Sequence, residues 1–223
     1  MGSDILVLDT LIMRDSASIL LNSAKKDNFI HVKVMVVGKG CVIIGRGKNG
    51  ISGQSGVAGL TQSSPCRDGI PGKEGHPGEP GRDAINLSLY LLNLRINGSL
   101  EINLNGGDGG DGGLGGRGGD GGSGTRVCAA GNGGRGGDGS AGGDGGSGGT
   151  VSISCKQCPD LHLLMNDRLV IKNYGGFGGI GGNGGFGGQA GLGPVKDGND
   201  GQRGKDGSRA AQGKTGSVNL SRD

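Results

Sequence analysis

The 223-residue chain has no tryptophan, two tyrosines and three phenylalanines, and only 31% of it is hydrophobic. A thick core of large side chains, as in an ordinary globular enzyme, is therefore excluded. Long apolar runs are missing too. Ile5 to Leu8 and Leu91 to Leu92 fall far short of the ~20 residues that cross a bilayer, so no membrane span is expected. No basic stretch followed by an apolar one opens the chain, which places it first in the cytoplasm and second in an extracellular or virion-surface setting. Charge of one sign is also lacking: Lys+Arg 23 against Asp+Glu 20 leaves +3, with the signs alternating along the chain. That balance offers no basic patch for nucleic acid.

What is abundant is glycine, 58 residues, more than three times the usual ~7%. The glycines recur every third residue in six blocks. Gly47 to Gly59 and Gly69 to Gly81 read G-x-x, 106–124 and 131–149 read G-G-x with an interruption at Ser140 and Ala141, 175–188 reads G-G-x, and 198–216 reads G-x-x. A period of three matches the polyproline-II helix, in which each triplet position forms a straight column. Columns without side chains let neighbouring segments approach until backbone N–H and C=O groups pair. A collagen triple helix fits only GIPGKEGHPGEPGRD locally. A disordered linker would not need strict phase, and a calcium-binding β-roll fails at Gly113, where its repeat wants a large apolar residue.

Between the blocks lie alternating apolar stretches that align with one another. Gly38-Lys-Gly-Cys leads to Gly47, Asn97-Gly-Ser-Leu to Gly106, and Asn166-Asp-Arg-Leu to Gly175, each turn nine positions before its block. Strands are expected before the turns, at Val32 to Val37, Leu89 to Ile96 and Leu161 to Met165. Others follow the returning blocks, at Ile85 to Leu89, Val151 to Cys155 and Val218 to Leu220. The first stretch, Ile5 to Leu21, carries no glycine hairpin. The fold class expected is all-β plus polyglycine-II: β-solenoid-like rungs of about three short strands (1–46, 84–105, 150–174, 217–220). Inserted between them are antiparallel polyglycine-II helix hairpins (47–83, 106–149, 175–216) forming a bundle, all in one composite domain. The triplet blocks 106–124, 131–149 and 175–188 resemble the polyglycine-II bundles of phage long-tail-fibre adhesin tips and of the snow flea antifreeze protein. The resemblance is architectural and implies no activity by itself.

No catalytic set is visible, and neither an enzyme nor a cofactor is expected. His31 and His162 fall in expected strands and His76 in a glycine block. The column Asp108, Asp111, Arg117 and Asp120 reads as a hydrated outer face. Cys155-x-x-Cys158 has metal or redox spacing with Cys41 as a third thiolate, but no second C-x-x-C exists. Structural thiols are the first reading, a disulfide at the base the second and zinc the third. Cys66 and Cys128 fall at the distal tips of hairpins one and two. Phe177, Ile180 and Phe186 form an apolar column at otherwise polar positions, either packed on a neighbouring arm or serving as a contact stripe for a partner.

Three functions from different classes fit this reading. A structural protein would assemble head-to-tail into a filament through Ile5, Leu6, Val7 and Leu8 at one end and Val218 and Leu220 at the other, its partner being itself. An adhesin or receptor-binding tip would meet a surface receptor with the distal turns. An ice-binding protein would need a flatter, less charged face.

Overall fold

The computed structural model describes residues 1–158, 161–165 and 167–222; Asn166, the expected third turn, lies outside them. Nine strands form: β1 (Ile5–Met13), β2 (Ser18–Leu20), β3 (Asp27–Val37), β4 (Cys41–Ile44), β5 (Asn86–Ile96), β6 (Leu100–Asn103), β7 (Val151–Cys155), β8 (Leu169–Lys172) and β9 (Val218–Ser221). One helical turn, α1 (Leu161–Leu164), interrupts the third repeat. The odd strands make a five-stranded sheet in the order β1-β3-β5-β7-β9, the even ones a four-stranded sheet β2-β4-β6-β8, and every pairing is parallel.

The register explains why each repeat has alternating apolar residues. Leu6, Ile30, Leu89, Ile153 and Leu220 stand opposite one another strand by strand, and so do Cys41, Leu100 and Leu169 in the smaller sheet. These columns face inward and join in one apolar core with Val32, Met35, Ile43 and Ile102. Side chains buried this way contribute ~1.5–3 kcal/mol each relative to exposure. The alternation changes phase once in β3, where Val32 and Met35 are both buried with exposed Lys33 between them, and again in β5 at Leu91 and Leu94. The turn between β3 and β4 needs a left-handed residue, supplied by Gly40 at φ 67°.

This architecture corrects the expected fold class. Among the described residues the regular secondary structure is two parallel sheets and one four-residue helix, with no polyglycine-II helix or bundle of such helices among the elements. Nor is the repeat a rung of three strands. β5 runs unbroken from Asn86 to Ile96, fusing strands that the sequence reading divides at Leu89, so each repeat gives one strand to either sheet. Leu161 to Met165, expected as strand, opens with the turn α1 and carries His162 with it. Its apolar residues permit either period, and four residues are too few to decide by pattern.

The glycine segments carry neither helix nor strand, yet their backbones are bonded to one another throughout. Outgoing segments (47–62, 106–124, 175–193) lie side by side, each donating to the next: Gly50 N–H to Asp108 O at 2.8 Å, Gly109 N–H to Phe177 O at 2.8 Å. Returning segments (69–83, 130–149, 198–216) do the same, as in Gly72 N–H to Arg135 O at 2.9 Å and Gly136 N–H to Gln202 O at 2.8 Å. Bonds within each hairpin run antiparallel, for example Lys73 to Val57, Gly137 to Gly116 and Gly204 to Gly185, at 2.8–2.9 Å. Diagonal bonds such as Gly116 N–H to Lys73 O complete an array of two layers, three segments each.

Candidate assembly surfaces

In the larger sheet the inward columns are fully covered in the middle and only partly covered toward both edges. At the β1 edge Leu8 is 37% exposed, while its partner Val32 on β3 is 0% exposed. At the β9 edge Val218 is 38% exposed and its partner Val151 0%. Leu6 and Leu220, the ends of the five-residue column, are partly buried against the core. Ile5 and Val7 are largely exposed on β1. The six residues singled out for assembly thus lie on opposite edges of one sheet and do not meet within a chain. Asp9, beside them, is bonded to Lys33 at 2.6 Å, and that bond and charge hold its carboxyl below the usual range.

The aspartates of the triplet blocks have a use beyond facing water. Asp108, Asp111 and Asp120 accept the amides of Phe177, Ile180 and Gln189 on the neighbouring segment at 2.8 Å. Asp138 and Asp144 accept those of Lys205 and Ala211 at 2.7 and 2.9 Å. In a G-G-D triplet the two glycines meet backbone, and the carboxylate takes the one amide that no carbonyl reaches. On this outer face Asp108, Asp111 and Asp120 thus also bridge segments, and Arg117 pairs with Asp120 at 2.8 Å. The Lys205 amide bond, followed by the charge and bond of Arg135, holds the Asp138 carboxyl below its ordinary value.

The interruption at Ser140 and Ala141 keeps phase. Ser140 occupies a glycine position and its amide still donates to Gly113 O at 3.0 Å. Phe177, Ile180 and Phe186 are exposed, so the reading that packs them on a neighbouring arm is corrected. They follow one another along the outer side of the third outgoing segment, with the Arg203 guanidinium 5.6 Å from the Phe186 ring centre.

Four of the five cysteines are paired, which overturns the reading of them as reduced structural thiols. Cys66 and Cys128 form a disulfide between the tips of hairpins one and two, with Cα atoms 6.0 Å apart. Triplet bonding outlasts the glycines and brings these tips level: Gln62 N–H donates to Asp120 O and Cys66 N–H to Ser123 O. Cys155 and Cys158 form the second disulfide. That bond removes both thiolates from the candidate zinc set, and Cys41 is a buried free thiol directed to the Arg14 carbonyl in the turn after β1. Among the described residues no three potential ligands gather for a metal, and no helix is long and apolar enough to cross a membrane. His31 stands beside Tyr90 on the outer side of the larger sheet, ring centres 6.2 Å apart, in a cleft of about 640 Å³.

No family model and no curated protein matches the chain. Among solved structures a weak neighbour is the springtail antifreeze protein of Granisotoma rainieri, described as a nine polyproline type II helical bundle. It shares 27% identity over 71% of this chain and 94% of its own, at a TM-score of 0.14. The superposition is too loose to bring a fold or an activity with it.

Proposed function

We propose that this is a non-enzymatic structural protein whose copies stack head-to-tail, the β9 edge of one chain against the β1 edge of the next. The observation that carries the reading is the column Leu6, Ile30, Leu89, Ile153 and Leu220, which loses part of its cover at both edges of the larger sheet. Every strand in that sheet runs the same way, so a translated second copy continues the parallel pairing and the column without a change of direction. Exposed parallel edges with half-covered leucines are a template for such pairing. Growth by such a heterologous contact yields filaments, with the charged outer columns of the glycine array on their flanks.

Sedimentation velocity and negative-stain microscopy over a concentration series test this. Filaments are expected from the unchanged chain, and Leu8→Lys should block one end only, so that substoichiometric amounts of it shorten wild-type filaments. A wild-type chain that stays monomeric at the highest soluble concentration contradicts the reading. A second reading, a tip that contacts a surface receptor, is favoured by one observation: the Cys66–Cys128 disulfide clamps two distal turns together and leaves Val127 almost wholly exposed there. Val127→Asp would abolish surface binding on that reading and leave filaments untouched on the first.

A further inference from the structure

The first hairpin of the array differs from the others in one respect. In the second outgoing segment, side chains at Gly107, Gly110, Gly113, Gly116 and Gly119 would run into the backbone of Lys48, Ile51, Gln54, Val57 and Leu60. In the second returning segment, Gly134, Gly137, Gly143 and Gly146 face Ile70, Lys73, Glu79 and Arg82 in the same way. Each of these glycines points toward the preceding hairpin. The equivalent positions of the first hairpin have no preceding hairpin to meet, and they carry side chains: Ile51, Val57 and Leu60 are about 70% exposed. The opposite edge is built differently. In the second returning segment Gly136 and Gly139 would meet the carbonyls of the third outgoing segment. Their equivalents in the third returning segment are Arg203 and Asp206, and Asp206 reaches round to accept the Gly184 amide at 2.7 Å. The first-hairpin edge and the returning half of the third-hairpin edge therefore carry side chains where inner segments carry glycine.

We infer that these two walls form a second, side-chain contact between stacked copies, a slot in which the first hairpin of one chain faces the third hairpin of the next. The inference rests on the stacking proposed above. Within one chain, successive hairpins follow successive strands β3, β5 and β7 of the larger sheet. Across a β9-to-β1 junction, the third hairpin follows β7 and the next chain's first hairpin follows its β3, three strand steps later. At the usual strand separation that is roughly 14 Å in place of roughly 5 Å. The hairpin-free first repeat thus opens a gap too wide for backbone bonding and wide enough for two facing rows of side chains. The levels of the array match opposite charges across it. Glu79 is level with Gly143 and Gly110, and through Gly179 with Ala210, the neighbour of Arg209. Arg203, level with Lys73, is turned onto Phe186 and bonded to Asp206 at 2.8 Å, so it does not oppose that lysine.

A charge swap at one pair tests the slot on the full chain. Glu79→Arg alone and Arg209→Glu alone should each raise the critical concentration for filament growth roughly fivefold, and the double variant should recover most of the loss. Circular dichroism and melting of each variant check that the fold is retained. Filaments indifferent to both single changes, or a double variant as weak as the singles, overturn the slot while leaving edge-to-edge stacking in place. A wild-type chain that never assembles overturns the stacking and the slot together.

Discussion

The sheets and the glycine array share one chain and one direction of growth but are held by different forces. Between the sheets, Ile30, Leu89, Ile102 and Ile153 exclude water with branched side chains, and the backbone bonds form a by-product of strand pairing. In the array the order is reversed. Backbone bonds do the joining, and glycine stands at nearly every position where two segments meet, Ser140 and Ala210 being the small-residue exceptions. The sheets therefore tolerate changes of shape and resist loss of volume, whereas the array tolerates almost any outward residue and, inward, little beyond the small side chains of Ser140 and Ala210. Glycine's entropy cost on ordering, roughly 0.5–1 kcal/mol relative to alanine, is offset only because each segment is bonded on several sides.

The largest break in that comparison comes from adding atoms to the array. At Gly113 even a Cβ would lie within 3.0 Å of the Gln54 carbonyl, so Gly113→Val should cost ~4 kcal/mol or more, or prevent folding. Denaturant unfolding of the purified chain measures it. Gly40, whose Cβ would meet nothing within 4 Å, provides the control: only its φ of 67° penalises a substitution, by ~1 kcal/mol. Next comes the tip. Cys66 and Cys128 are 62 residues apart, and on the chain-entropy model removing their bond costs about 4 kcal/mol, an upper figure. Mutating both to serine and comparing melts separates this from the base disulfide. In the sheets the matching change is loss of volume: Leu89→Ala should cost ~3 kcal/mol.

Smaller effects belong to the carboxylates. Asp111→Ala removes the acceptor of the Ile180 amide and should cost about 1 kcal/mol or less, because water reaches the exposed site. Asp138 adds a dependence on pH. Its folded pKa lies below the unfolded one, so its contribution is complete above the ordinary carboxylate pKa of ~3.9 and is lost as pH falls through the depressed folded value. The melting temperature should fall on acidification across that window, and Asp138→Asn should flatten the fall.

Much of the strand placement was legible because alternation of Val, Leu and Ile reports burial directly, as in β3 and β5. The three-residue glycine phase likewise marked which residues pair, though the named helix type it called for is absent from the described secondary structure. Three features were not legible. The fusion of two strands into β5 depends on a phase change at Leu91 and Leu94 that reads, in sequence, like a break. Hairpins lying side by side already bring the tips with Cys66 and Cys128 near each other, but their meeting at one level, close enough for a disulfide, depends on bonding that continues past Gly59, where the pattern of glycines stops. The role of the aspartates depends on which amide lacks a carbonyl, and that follows only once the six segments are set beside one another. In hindsight, the switch from G-x-x to G-G-x was the available signal. It separates the first hairpin, open on one side, from the second, enclosed on both.

Residue-resolved amide hydrogen exchange tests the contrast most directly. If backbone bonds hold the array, the amides of Gly110, Gly113, Gly116, Gly137 and Gly143 should be protected to the same degree as those of Ile30 and Leu89. Gly175, Gly178, Gly181 and Gly187, whose amides find no acceptor among the described residues, should exchange much faster within the same hairpins. Uniformly fast exchange across 106–149, with protection confined to the strands, would contradict the account and reduce the glycine segments to tethers between two sheets.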